Sequence, residues 1–124
     1  MASAKQVVFV VGEGEYESER TMPELARQCE RELGVRCVIL VDRHIKGDAW
    51  KPVAGQRGSD IPGLEALDGA DLAVFFLRFR TMPEDQAARL KAYVRRGGAL
   101  AGFRTSTHAF NYAKDDALAH MNDF

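Results

Sequence analysis

Residues 7–11 read Val7-Val8-Phe9-Val10-Val11, a run of β-branched and aromatic residues that would be apolar on both faces of a strand. Similar runs occupy residues 37–41 and 72–77, and a weaker one occupies residues 99–103. A strand that is buried on one face alternates apolar and polar residues, whereas continuous apolar runs are typical of parallel sheets covered by helices on both faces. The four runs therefore predict a parallel sheet between two layers of helices.

Helical patterns lie between these runs. Residues 21–24 read Thr-Met-Pro-Glu, which predicts a capping box with proline in the first turn, and the same four residues recur at positions 81–84. Gly34 and the pair Gly97-Gly98 predict the ends of the two helices. The alternation of strands and helices predicts an α/β fold, a three-layer flavodoxin-like parallel sheet, with strand order 2-1-3-4 and right-handed crossovers.

Length and charge limit the classes of function. The chain has 124 residues, enough for one domain, and its 17 basic residues against 18 acidic ones give a net charge of −1. The basic residues are scattered among acidic ones, so no nucleic-acid partner and no membrane surface is expected. No apolar run approaches the roughly 18 residues of a membrane helix. Residues 1–5 show no signal-peptide cleavage pattern, which favours a cytoplasmic protein.

The loop after the first strand argues against nucleotide cofactors. Ligands of open parallel sheets bind beyond the carboxyl ends of the strands, where this loop, residues 12–19, lies. Its glycines do not complete the G-x-G-x-x-G pattern because Glu17 occupies the third glycine position, and its four carboxylates would repel a pyrophosphate. A P-loop is also absent from the sequence. We expect neither NAD nor ATP, and no other cofactor.

Two further loops reach the same predicted edge of the sheet. Arg78-Phe79-Arg80-Thr81 follows the third strand, and residues 104–112 follow the fourth. Carboxylates, guanidinium groups, hydroxyls, an imidazole and aromatic rings together suit a polyhydroxylated or small anionic ligand. His108 has no second histidine or cysteine nearby, so no metal is expected. The predicted acid/base residues are Glu15 and His108, and the predicted substrate-binding residues are Glu13, Tyr16, Arg78, Arg80, Arg104, Thr105 and Thr107.

Structural roles are the alternative for each of these residues. The loop glutamates at positions 13, 15 and 17 could form a solvated loop, and Arg78 and Arg80 could be their ion-pair partners. Ser106 or Thr107 could be an ordinary helix N-cap. The prediction of a site therefore depends on three loops meeting at one edge, and not on any single residue.

Several stretches together resemble one family. They are residues 8–19, residues 61–67, Ala70-Asp71-Leu72, Phe79-Arg80 and, most strongly, residues 102–110. Over essentially its whole length the chain resembles the ThuA-like (trehalose utilisation) family, whose fold is similar to that of class I glutamine amidotransferases. The resemblance implies carbohydrate utilisation, with trehalose or a related disaccharide, including 3-keto-sugars, as the small-molecule partner.

The resemblance does not extend to amidotransferase chemistry. Class I amidotransferases carry a nucleophilic cysteine in a G-x-C-x-G elbow, and the matching residues here are Gly102-Phe103-Arg104-Thr105-Ser106. Arg104 stands where the cysteine would be, and a guanidinium group is not a nucleophile. We expect no glutamine hydrolysis. Whether the protein is an enzyme stays open, and the alternative is a non-catalytic sugar-binding or protein-interaction module on the same fold.

The number of strands leads to a last expectation. Doubly wound sheets of this type usually have five or more strands, and residues 113–124 contain no credible fifth one. The resemblance likewise implies that residues 1–124 are the amino-terminal portion of a ThuA-like domain, an incomplete sheet. The fourth strand would then lie at an open apolar edge, which a second copy could cover in a homodimer.

Overall fold

Four strands and two α-helices make up the regular structure of the described residues. The structure is a computed structural model, and it describes residues 4–46 and 51–124. Residues 1–3, on which the predicted absence of a leader peptide partly depends, lie outside these ranges. So do residues 47–50, which belong to the segment of residues 42–71 that joins the second strand to the third, here called the second crossover. The elements are β1 (Gln6–Gly12), α1 (Ser18–Leu33), β2 (Arg36–Val41), β3 (Leu72–Leu77), α2 (Glu84–Arg95) and β4 (Leu100–Gly102), with 3-10 helices at Leu64–Gly69, Ser106–His108 and Ala119–Asp123.

The strands form one parallel sheet in the order β2-β1-β3-β4. In its centre Val8 of β1 lies between Val38 of β2 and Ala73 of β3. The predicted α/β class, the flavodoxin-like sheet and the strand order are all confirmed. Because β1 and β3 are the two central strands, the loops that follow them start side by side.

The two faces of the sheet are covered by different helices. Alternate residues of β1 point to opposite faces, so that Phe9 packs with Met22 and Ala26 of α1, whereas Val8 packs with Leu90 of α2. The 3-10 helix Leu64–Gly69 also lies on the α2 side. The core therefore consists of two layers separated by the sheet, as the continuous apolar runs predict.

The start of α1 differs from the prediction. The helix begins at Ser18, three residues before the predicted cap Thr21, with Glu17 at the N-cap position in a left-handed conformation (φ 57°). The Thr21 hydroxyl donates to the Glu17 carbonyl oxygen instead of capping the helix (3.4 Å). The capping box is wrong because the carboxylate of Glu13 already accepts the Ser18 N–H (3.0 Å), which lets the helix start earlier.

The second Thr-Met-Pro-Glu stretch, residues 81–84, has a different role before α2. This helix begins at Glu84, with Pro83 at the N-cap position and no side-chain cap, so the second capping box is also wrong. The Thr81 hydroxyl accepts a hydrogen bond from the Gly58 N–H (2.8 Å), and its own N–H donates to the Ser59 hydroxyl (2.9 Å). Thr81 therefore fastens the second crossover to the end of β3.

The helix ends agree with the sequence. Gly34 follows α1 in a left-handed conformation (φ 67°), and its N–H donates to the Glu30 carbonyl (3.1 Å). Gly97 (φ 81°) follows α2, and the Tyr93 hydroxyl there donates to the Ala99 carbonyl (2.5 Å). At 16 and 12 residues, α1 and α2 are too short to cross a membrane, and no helix of the described residues is long and apolar enough to do so.

The predicted burial of every strand on both faces is wrong for β4. All three of its residues are exposed, as are Leu33 and Phe103 beside it. The reason is that β4 is the edge strand: within the described residues α1 packs against β1 and β2, α2 packs mainly against the 3-10 helix Leu64–Gly69, and neither helix covers β4. Residues 113–124 contribute only the last 3-10 helix. The homodimer across this edge and the larger domain both stay predictions.

An ion pair between a partly exposed arginine and a buried aspartate joins the second crossover to the residues just before the last 3-10 helix. The Arg57 guanidinium donates two hydrogen bonds to the Asp116 carboxylate (2.5 and 3.0 Å), which also accepts the N–H groups of Gly55 and Leu118 (3.2 and 2.9 Å). Hydrogen bonding to Arg57, above all, lowers the pKa of Asp116 to about 2. The pair therefore stabilises the fold only while this carboxyl group is ionised.

Candidate functional site

A cavity of about 380 Å³ opens at the carboxyl edge of the sheet. Three loops form it: the loop from β1 to α1, the segment after β3 and the segment after β4. This is the position at which open α/β sheets bind ligands. The lining side chains belong to Glu15, Tyr16, Arg78, Arg104, Thr105, Thr107 and His108.

Glu13 shapes the first loop from beneath. It is fully buried, and its carboxylate accepts the N–H groups of Glu15 and Tyr16 (both 2.7 Å) as well as that of Ser18. Although burial raises the pKa of Glu13, hydrogen bonds from Ser18, Tyr16 and Glu15 outweigh it and hold the pKa below the ordinary value. Glu13 does not line the cavity. It holds the backbone of Glu15 and Tyr16, whose side chains do line it.

Glu15 and Arg78 form an ion pair inside the cavity. The Arg78 guanidinium donates to the Glu15 carboxylate, and it lies 4.8 Å from the centre of the Phe79 ring. Phe79 is held in a left-handed conformation (φ 54°), and its ring stacks on the imidazole of His108 at 6.2 Å. The predicted acid/base residues Glu15 and His108 are therefore connected through the side chains of Arg78 and Phe79.

Arg80 is buried under the cavity and is not part of its wall. Its side chain is 1% exposed and donates to Asp42 (3.0 Å), to the His44 carbonyl (3.2 Å) and to the Arg78 carbonyl (2.7 Å). The alternative in which both arginines pair with loop glutamates holds for Arg78 and is wrong for Arg80, whose partner Asp42 directly follows β2. Arg80 fixes the backbone from which Arg78 extends.

Asp42 is the supporting residue that the sequence analysis missed. Its carboxylate is fully buried and also accepts the N–H groups of His44 (2.8 Å) and Asp60 (3.1 Å). It therefore joins β2, the second crossover and β3 under the site. The available signal was an aspartate directly after a buried strand, at the edge where ligands bind.

The segment after β4 is anchored to β3. Thr105 is left-handed (φ 86°) and its hydroxyl donates to the Leu77 carbonyl (3.0 Å). The Ser106 hydroxyl donates to the Phe75 carbonyl (3.0 Å) and accepts the Leu77 N–H (3.1 Å). Neither Ser106 nor Thr107 is a helix N-cap, because Thr105 holds the N-cap position of the three-residue 3-10 helix.

The far end of this segment is paired as well. The N–H groups of Phe79 and Arg80 donate to the carbonyls of His108 (2.8 Å) and Ala109 (2.7 Å), and Arg80 pairs with Phe110 in a parallel bridge. Residues 104–108 are therefore held at both ends by the continuation of β3.

Several polar groups in the cavity have no partner within the described residues. These are the guanidinium group of Arg104, the ring nitrogens of His108 and the hydroxyls of Tyr16 and Thr107, none of which makes a hydrogen bond or ion pair there. They present donors and acceptors to a ligand. Arg78 and Thr105, by contrast, already have protein partners.

The structure thus brings seven of the nine predicted site residues to one cavity and leaves Glu13 and Arg80 outside it. Their functional roles stay predictions. Among the described residues, no group of three or more histidine, cysteine, aspartate or glutamate side chains could hold a metal ion. Comparison with family models, with curated proteins and with solved structures found no match to this chain.

Proposed function

We propose that the protein binds a small carbohydrate in the cavity at the carboxyl edge of the sheet and acts on it by acid/base chemistry. The observation that carries the proposal is the convergence of three loops that place a carboxylate, an imidazole, hydroxyl groups and a free guanidinium around about 380 Å³. That volume is within the range of small-molecule sites, about 300–1,000 Å³. Trehalose or a related disaccharide, including its 3-keto form, is the proposed class of ligand, as the resemblance to ThuA-like proteins implies.

Five of the seven lining residues have a role in this proposal. The unpartnered groups of Tyr16, Thr107 and His108 bind sugar hydroxyls, which both donate and accept hydrogen bonds. Glu15, fixed by Arg78, accepts a proton from the ligand, and His108 donates one. His108 stacks on Phe79, which holds its ring plane in place, and its ring nitrogens make no hydrogen bond within the described residues.

One observation favours a second candidate, a non-catalytic sugar-binding module. The carboxylate of Glu15 is engaged by Arg78, and a general base is more effective when its oxygens are free to take the proton. In a binding module, the same ion pair would only shape the cavity. Turnover of a bound sugar distinguishes the two.

The test compares two histidines. Calorimetric titration with trehalose and with 3-keto-trehalose should show binding that His108→Ala weakens by about 3- to 10-fold, the effect of losing one hydrogen bond to a neutral group. His120→Ala is the matched control, since His120 is also exposed but does not line the cavity.

Product analysis then decides between the candidates. Conversion of the bound sugar that is lost in Glu15→Gln supports the enzyme, and binding without conversion supports the module. The proposal fails if neither sugar binds, or if the two histidine variants behave alike.

A further inference from the structure

We propose that the ligand of this cavity is a carbohydrate that carries one carboxylate group, such as an aldonic or uronic acid, and that Arg104 binds that carboxylate. The inference rests on the function proposed above and narrows its class of ligand. It follows from the balance of charge in the cavity and from the hydrogen bonds that the lining residues already make.

The described lining residues leave one positive charge uncompensated. Three of them carry a fixed charge: Glu15, Arg78 and Arg104. Glu15 and Arg78 neutralise each other in their ion pair. Within the described residues no acidic group contacts Arg104. A neutral ligand would leave this charge unmatched, whereas a singly charged anion would neutralise the cavity.

Two buried charged residues, Glu13 and Arg80, lie beneath the site and do not line the cavity. The carboxylate of Glu13 is taken up by three backbone N–H groups of its own loop. Arg80 pairs with Asp42. Neither Glu13 nor Arg80 lines the cavity, so Arg104 remains the charged group that an incoming anion meets there.

The chemistry of Arg104 favours a carboxylate. A guanidinium group presents its N–H donors in a fixed fork, which matches the two oxygens of a carboxylate and forms two parallel hydrogen bonds. A phosphate dianion would call for a second positive charge or for several converging backbone N–H groups. Arg78 is engaged by Glu15, and the helix beside Arg104 has three residues, too few to supply such groups.

The remaining free groups suit the rest of the molecule. Tyr16, Thr107 and His108 offer neutral donors and acceptors, the partners of hydroxyl groups. The cavity thus combines one site for a carboxylate with several for hydroxyls, which is the composition of a sugar acid.

The experiment compares glucose, glucuronate and glucose 6-phosphate, which share one ring and differ in charge. In calorimetric titrations at low salt, we expect glucuronate to bind about 10- to 100-fold more tightly than glucose, the usual effect of a charge-assisted hydrogen-bonded pair. Arg104→Ala should remove this preference, so that glucuronate and glucose bind with similar affinity. Arg27→Ala, an exposed arginine on α1, is the matched control and should change neither affinity.

A second variant tests the charge balance itself. Glu15→Gln frees Arg78 and raises the positive charge of the cavity by one, so it should strengthen glucuronate binding by several-fold. High salt should reduce the preference for glucuronate in the unmodified protein, because exposed charges are screened.

The outcomes separate the two proposals. Equal affinities for glucose and glucuronate would overturn the carboxylate inference and leave carbohydrate binding standing. Tighter binding of glucose 6-phosphate than of glucuronate would overturn the choice of carboxylate over phosphate. Failure of all three sugars and of trehalose to bind would overturn both proposals.

Discussion

Replacing Asp42 with alanine should destabilise the protein far more than removing any exposed carboxylate. Asp42 is fully buried and accepts three hydrogen bonds, from Arg80, His44 and Asp60. In Asp42→Ala, the buried Arg80 guanidinium loses the carboxylate to which it donates, and the backbone N–H groups of His44 and Asp60 lose their acceptor. The variant therefore removes one partner and leaves the other buried, the costly way to break an ion pair.

The expected loss of unfolding free energy is about 3–5 kcal/mol. At about 0.05–0.15 kcal/mol per residue, a chain of 124 residues has a total stability of about 6–19 kcal/mol, so the variant should still fold at low temperature. For a domain of this size, each kcal/mol shifts the melting temperature by about 3–5 °C. We therefore expect the melting temperature to fall by about 10–20 °C.

Urea unfolding followed by circular dichroism measures the loss, at one protein concentration for all variants. Asp68→Ala is the matched control, because Asp68 also pairs with an arginine, Arg89, but both side chains are about half exposed. An exposed pair contributes about 0–1 kcal/mol. The double variant Asp42→Ala/Arg80→Met should recover part of the loss, since it also removes the buried guanidinium group that Asp42 bound.

Two results would refute this reasoning. The first is a loss for Asp42→Ala no larger than that for Asp68→Ala, which would mean that Asp42 is not a buried partner of Arg80. The second is a loss of unfolding free energy in the double variant that equals the sum of the losses in Asp42→Ala and Arg80→Met measured separately. That result would mean that the two side chains do not interact.

Three further predictions concern other parts of the fold. Asp116→Asn should destabilise the protein at neutral pH but not below about pH 2. Folding lowers the pKa of Asp116 from 3.8 to about 2, so the stabilisation by its carboxylate is present above pH 3.8 and is lost as the pH falls through about 2. Urea unfolding across this pH range measures the difference between the two proteins, and a difference that does not change with pH would contradict the prediction. Gly98→Ala should lower the free energy of unfolding by about 2–4 kcal/mol, because a Cβ there would lie 2.4 Å from the ring of Tyr93. Gly69→Ala is the control, since a Cβ at Gly69 has open space and should change the melting temperature little. Equal shifts of the melting temperature in the two variants would contradict the clash. Ser106→Ala should lower the free energy of unfolding by about 1–3 kcal/mol, since it removes both hydrogen bonds of that hydroxyl to β3. Amide hydrogen exchange locates this loss: exchange should become faster in β4.

The strands and the place of the site could be predicted because both follow from local composition and one general rule. Apolar runs such as residues 7–11 identify strands buried on both faces, and residues after such strands meet at one edge. That is enough to bring Glu15, Arg104 and His108 together. It requires no knowledge of which side chains touch.

Long-range partners could not be predicted in the same way. A charged residue is ordinarily exposed, and nothing local marks Arg80 as buried or Asp42, 38 positions earlier, as its partner. The two Thr-Met-Pro-Glu stretches illustrate the same limit. Thr21 is inside a helix because Glu13 satisfies the backbone before it, whereas Thr81 binds the second crossover, so one local sequence has two structural roles.

The anchoring of residues 104–108 at both ends has a kinetic consequence. One end is continuous with β4 and the other is paired with Phe79 and Arg80, so the wall that carries Arg104 and His108 holds its shape without a ligand. A ligand that enters a preformed site incurs little cost for ordering the chain, and no loop closure need follow the encounter. Stopped-flow traces should therefore show a single phase, whose observed rate rises linearly with ligand concentration and does not level off.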